Sequence, residues 1–219
     1  PLAGRMTDMV TGAGGTSIIT EIPEIFGAEH LLMNRAADEG VFAAGARLVE
    51  RFKAYFTDNG QPVHENPSPG NIAGGITTLE EKSLGAVQKA GQAALTDVIA
   101  YGQRATRPGL TLLEAPGNDA VSSTALACAG AQIILFTTGR GTPLGFPVPT
   151  VKIASTSSLA ERKAHWIDFD AGPLLTGEKM EIVEARLFDL VLAAASGQPT
   201  RNEHNDEREI AIWKRGVTL

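Results

Sequence analysis

Apolar residues along this chain fall into two patterns. Short apolar runs closed off by Gly, Pro or Asn cover residues 17–22, 94–100, 110–114, 132–137 and 150–154, the pattern of strands buried on both faces. Between most of them the apolar positions recur at helical spacing, over 25–37, 41–55, 79–89 and 121–128. Residues 1–13 also read as helix, with Leu2, Met6, Met9 and Val10 along one side. A last helix is predicted over 178–195, where Ile182, Val183, Leu187, Leu190, Val191 and Ala194 form one apolar face. Strands alternating with helices predict an α/β fold, a mostly parallel, doubly wound, Rossmann-like sheet with helices on both faces. Residues 1–197 are assigned to this α/β region, and the charged residues 198–219 to a tail extended over the surface.

Residues 60–78 break the rhythm. Asn66-Pro67-Ser68-Pro69-Gly70-Asn71 holds two X-Pro pairs that disfavour helix and a glycine that permits a turn, so an inserted rigid loop is expected. The helix after it has a capping-box spacing, with Thr77 or Thr78 three residues before Glu80 or Glu81. The chain opens at Pro1, already in a helical pattern, and is expected to be a piece of a longer polypeptide.

Composition narrows the function. At 219 residues, with 43% apolar and 20% charged, the chain has enough length and apolar content to bury a core. A net charge of −6 without a Lys/Arg-rich run leaves no footprint for nucleic acid or an anionic membrane surface. No stretch approaches the roughly 20 apolar residues of a membrane span, and the start lacks a secretory pattern, so a cytoplasmic protein with small-molecule partners is expected. The single cysteine, Cys128, cannot form an internal disulfide and reads as a small residue on a packed helix. Nucleotide, zinc-protease and dithiol motifs are absent, and Gly12-Ala13-Gly14-Gly15 precedes its strand and lacks the third glycine of a dinucleotide loop. His30, His64, His165 and His204 show no metal-ligand spacing.

What carries chemistry is a set of polar loops, each just after a predicted strand, where open parallel sheets bind ligands. Glu21 and Glu24 follow the first, Asn118 and Asp119 the third, and Thr137, Thr138, Arg140 and Gly141 the fourth. Arg140 is suited to holding a carboxylate in a two-point fork, with flanking glycines that let backbone approach. Glu21 and Glu24 are oxygen donors suited to Fe or Mn, or one of them is a base, with helix-terminal charge the plainer role for Glu24. Asp119 equally well caps the following helix. Lys82 is a base or anion holder if it faces the sheet, and otherwise a surface lysine. Asn66, Ser68 and Asn71 offer hydrogen bonds to substrate hydroxyls from a stiffened loop.

In order and spacing, Gly14-Gly15-Thr16 through Glu24, the Asn66 to Asn71 loop with Ala73-Gly74-Gly75, Glu81-Lys82-Ser83-Leu84-Gly85, Pro116-Gly117-Asn118-Asp119, Thr137-Thr138-Gly139-Arg140-Gly141 and Trp166-Ile167-Asp168-Phe169-Asp170-Ala171-Gly172 resemble the altronate and galactarate dehydratases. The resemblance spans nearly the whole chain. It implies a hydro-lyase that dehydrates a sugar acid to a 2-keto-3-deoxy acid with a divalent metal, Fe or Mn, whose ligand set is completed outside this chain. It also implies a small N-terminal domain or subunit upstream, and a homo-oligomer is expected. Ile72 departs from the pattern, since these dehydratases usually carry lysine there. That departure opens a runner-up, the related branch that eliminates sulfite from sulfolactate. A third reading is a non-catalytic substrate-binding or assembly subunit.

Overall fold

The computed structural model describes residues 1–63 and 78–214, which divide into two compact units, Pro1–Asn118 and Asp119–Leu219. The expected α/β class with parallel strands holds, and the strands are shared between two three-stranded sheets.

The first unit comprises α1 (Leu2–Gly12), β1 (Thr16–Ile19), α2 (Glu29–Met33), α3 (Glu39–Asp58), α4 (Leu79–Val87), β2 (Leu95–Ile99) and β3 (Gly109–Leu113). Its sheet has the order β1-β3-β2, with every pairing parallel and Thr16 aligned to Gly109 and Ile19 to Leu112. The central strand β3 buries Leu110, Thr111, Leu112 and Leu113 completely, as a strand covered on both faces must. α3 begins where Asp38 accepts the Val41 N–H at 2.9 Å. Its Val41, Leu48, Val49 and Phe52 form one buried stripe.

The helix predicted over 25–37 does not form as one piece. Ile22–Ile25 is a 3-10 turn, Gly27 takes φ +90, and α2 covers only Glu29–Met33. Residues 35–37 then run beside β2, with Leu95 N–H donating to the Arg35 carbonyl and Ala37 N–H to the Leu95 carbonyl. Pairing with a sheet edge thus overrides the helical periodicity.

The second unit comprises α5 (Asp119–Ala129), β4 (Ile134–Thr138), β5 (Thr150–Ala154), α6 (Ser157–Arg162), β6 (Phe169–Asp170), α7 (Met180–Ala195) and α8 (Arg201–His204). The sheet order is β4-β5-β6, all parallel. β5, at its centre, is buried at all five positions. β4 and β5 are adjacent and parallel yet joined by a helix-free crossover, residues 139–149, which leaves the carboxyl edge of the sheet with Arg140 near its start.

Two expectations are corrected. The stretch after Gly197 lies mostly at the surface, as expected, but it is not extended throughout: Thr200 is 3% and Asn202 0% exposed, and α8 is fixed by a Thr200–Glu203 capping box. Cys128 is exposed rather than packed, because α5 turns Ser122, Ser123, Thr124, Ala125 and Ala129 inward instead. No helix among the described residues is long and apolar enough to cross a membrane.

Candidate active site

In the first unit the candidate chemistry gathers where β1 ends. The Thr20 hydroxyl donates to the Leu113 carbonyl and the Ile22 N–H to the Ala115 carbonyl, each at 3.0 Å, so the segment leaving β1 is tied to the end of β3. Between these two ties Glu21 sits in the left-handed region at φ +66. For a residue with a Cβ that conformation costs of order 1 kcal/mol, and such strain concentrates at functional sites. The Glu21 carbonyl accepts the Glu24 N–H at 2.8 Å and closes the 3-10 turn over buried Ile22, Pro23 and Ile25.

That turn aims Glu24 at Lys82 on the first turn of α4, with the Lys82 Nζ 3.0 Å from Oε1 and 2.9 Å from Oε2. The two side chains are 18% and 19% exposed, sheltered but reachable. α4 is placed by its capping box, in which Thr78 accepts the Glu81 N–H at 3.1 Å and Glu81 accepts the Thr78 N–H at 3.3 Å. It is also held by buried Ser83, whose hydroxyl donates to the Phe26 carbonyl. Gly117 faces the same carboxylate: a Cβ placed there would lie 3.3 Å from Glu24 Oε1. The structure therefore brings Glu24, Lys82 and the 116–118 loop that carries Asn118 into one cluster, beside the strained Glu21.

Glu114, directly after β3, belongs to none of the polar motifs that mark the other strand ends. It is 6% exposed and accepts an arginine fork from Arg51, Nε to Oε1 at 3.2 Å and Nη2 to Oε2 at 3.0 Å. Its signal was a carboxylate closing an apolar strand run. With the Tyr101 N–H also donating to Oε2 at 3.4 Å, it supports the strand end.

In the second unit the carboxyl edge carries hydroxyls and one guanidinium. Thr138 Oγ1 accepts the Gly141 N–H at 2.9 Å, and the Thr138 carbonyl accepts the Ser155 N–H at 3.0 Å. Gly141 takes φ +78, which closes the short loop. Arg140 projects from that loop, exposed, and among the described residues its guanidinium has no hydrogen-bond or ion-pair partner. Ser155, also unremarked in the sequence, lies alongside, its Oγ 3.7 Å from a Cβ built at Gly139. Thr137 is exposed on β4, and Asp119 opens α5, where an acidic residue suits the helix N-terminus. Asn66, Ser68, Asn71, Ile72 and His64 lie outside the described residues.

Below this edge Asp168 receives the Lys152 N–H at 2.8 Å and the Arg201 N–H at 2.7 Å. Burial pushes its carboxyl above the usual value of 3.8 despite those two donors. A carboxyl raised on folding contributes stability that is fully present below its unfolded value and lost as pH rises through the folded one. The unfolding midpoint relative to an Asp168→Asn variant is therefore expected to fall as pH rises from about 4 toward neutrality. A difference independent of pH would show that Asp168 is not held in this way.

Among the described residues no group of three or more His, Cys, Asp or Glu stands ready to hold a metal ion. Both Glu24 oxygens are already taken by Lys82. These residues by themselves do not fit a divalent-metal site.

The model of the D-galactarate/altronate dehydratase C-terminal family matches residues 1–218. Altronate dehydratase of Escherichia coli K12 is 56% identical over all of this chain, which spans 44% of that protein. Galactarate dehydratase (L-threo-forming) of the same organism is 38% identical over 90% of the chain and 38% of its own length. The (2R)-sulfolactate sulfo-lyase subunit beta of Chromohalobacter salexigens is 30% identical over 98% of the chain and 56% of its length. The chain thus spans less than half of the two dehydratases it resembles. A match over residues 1–218 makes this chain a member of the D-galactarate/altronate dehydratase C-terminal family.

Proposed function

We propose that the chain is the proton-handling region of a sugar-acid dehydratase, a carbon–oxygen lyase that converts altronate or a close relative to a 2-keto-3-deoxy acid. The observation that carries this reading is the Glu24–Lys82 pair beside strained Glu21 at the carboxyl end of β1, in a chain 56% identical to a protein named altronate dehydratase.

The reaction is a β-elimination. A base removes the proton on the carbon beside the carboxylate, the electron pair forms a carbon–carbon double bond, and hydroxide leaves the next carbon, protonated to water. The resulting enol takes up a proton at that carbon and becomes the keto acid. The proton removed is weakly acidic, so a cation must stabilise the enediolate. Lys82 supplies that charge, and Glu24 on its ammonium keeps it aimed. Glu21 takes the proton, its left-handed backbone being the strain expected of a preorganised catalytic group. In the second unit, taken by itself, Arg140 is the candidate fork for a carboxylate, with Gly141 on its loop and Thr137 and Thr138 at the end of β4. Asn118, on the loop whose Gly117 faces Glu24, Asp119 at the start of α5, and Asn66, Ser68 and Asn71 serve the substrate hydroxyls.

No step here passes through a metal. Fe or Mn, if the whole protein uses one, draws its donors largely from beyond the described residues. Mn(II) titrated by calorimetry into the 219-residue chain is therefore expected to bind at least tenfold more weakly than into the complete protein, since such sites need three or more protein ligands with their supporting shell. Equal affinity would place the whole site within this chain.

Sulfite leaves without an acid, so the sulfo-lyase reading needs less of the site, but the relative of that name is the more distant one at 30% identity. The test is to incubate the complete protein with altronate, galactarate and sulfolactate, following keto acid and sulfite separately. Keto acid from a sugar acid is expected, and sulfite release with no sugar-acid turnover would overturn the proposal.

A further inference from the structure

The charged stretch after Gly197 folds back onto the loop that carries Arg140. Asn202, wholly buried, accepts the Thr150 N–H at 3.1 Å and donates to the carbonyls of Phe146 (3.4 Å) and Glu207 (3.2 Å). Asp206 takes φ +57 after α8 and reverses the chain, so the Glu207 N–H returns to the Asn202 carbonyl at 2.8 Å. The Glu207 carboxylate then meets Lys152 Nζ at 3.0 Å, and the same ammonium donates to the Thr142 carbonyl at 3.2 Å. Two residues on, Glu209 exchanges two bonds with Gly145, its carboxylate accepting the Gly145 N–H and its own N–H donating to the Gly145 carbonyl, both at 2.9 Å.

Lys152 is 0% exposed in the middle of β5. An aliphatic side chain would fill that position without the desolvation that a buried ammonium suffers, so packing alone does not explain the charge. What the charge does is hold the loop. Thr142 and Gly145 are pinned on the far side and Gly141 is pinned to Thr138 on the near side, which leaves Gly139 and Arg140 as the short span between anchors.

We propose that Lys152, Glu207 and Glu209 are positioning residues that fix the direction of Arg140, so that its guanidinium meets a substrate carboxylate already oriented. This rests on the reading of Arg140 as the carboxylate fork.

The test is a mutant cycle on the complete protein with altronate as the probe. KM and kcat are measured for Arg140→Ala, for the paired variant Lys152→Met with Glu207→Gln, and for all three changes together, with amide exchange followed at Gly141 and Gly145. The pair is changed together so that no buried charge is stranded. Arg140→Ala and the paired variant are each expected to raise KM roughly tenfold, the scale of a displaced binding group. The triple variant should be no worse than Arg140→Ala alone, and the Gly145 amide should exchange faster in the paired variant. A paired variant with wild-type KM or unchanged exchange, or a triple variant whose KM rises by the product of the separate effects, overturns the inference and leaves Arg140 standing. Arg140→Ala with unchanged KM overturns the reading of Arg140 and the inference with it. If the paired variant does not fold, Glu209→Ala replaces it under the same KM criterion, because that exposed side chain holds only the Gly145 N–H.

Discussion

Lys82→Met in the complete protein is expected to lower turnover at saturating substrate by about a hundredfold or more, the usual effect of removing a preorganised charge from a transition state. The fold should survive. The Lys82–Glu24 pair is sheltered but not sealed, at 18% and 19% exposure, so its loss leaves Glu24 partly hydrated and costs about 1 kcal/mol. α4 keeps its capping box and the Ser83 bond to Phe26. If the chain only bound substrate or held subunits together, the same change would raise KM and leave turnover at saturation intact.

The second large effect is on stability. Gly172→Ala is expected to lower the unfolding free energy by about 3 kcal/mol, the upper end for overpacking, as read by denaturant unfolding. A methyl there would overlap the backbone N and the Oγ of Ser157 and lie 2.8 Å from the Thr156 carbonyl carbon. Two of those three atoms are backbone at the turn from β5 into α6, where no rotamer change relieves the clash. The glycine cannot retreat either, since its own N–H is held by Asp170 Oδ1 at 2.7 Å. A cost below about 1 kcal/mol would mean that the turn is softer than its packing indicates.

Gly172 also illustrates how far the sequence could be read. It stood out as the end of the Trp166 to Gly172 motif, but only the fold gives the reason, close approach of two backbones. Local signals were legible wherever one segment decides its own state. β5 falls on 150–154 as expected, and the Thr78 capping box is present. Signals failed where a distant segment decides. The helical spacing over 25–37 gave way at Gly27 and again where 35–37 pair with β2. Which strands share a sheet is likewise a matter of pairing that periodicity does not encode, and the five apolar runs read as one sheet belong to two.

The candidate site divides along the same line. Glu24 and Lys82 were each legible as polar residues at element ends, but their ion pair spans 58 positions in sequence and needed the fold. The charges after Gly197 looked like a solvated tail because composition does not reveal that Asp206 turns Glu207 inward onto Lys152. Lys152 itself was the overlooked signal, a lysine inside an otherwise apolar strand run.

The proposed role of this chain's own residues is to remove the proton from the carbon beside the substrate carboxylate. It is tested most directly with altronate deuterated at that carbon, supplied at saturation to the complete protein and to its Glu21→Gln variant. The wild type is expected to release one deuteron for each keto acid formed, while the variant, still folded and still binding altronate, is expected to release deuterium at least about a hundredfold more slowly. Release by Glu21→Gln at the wild-type rate would contradict it, and would place the base elsewhere in the protein.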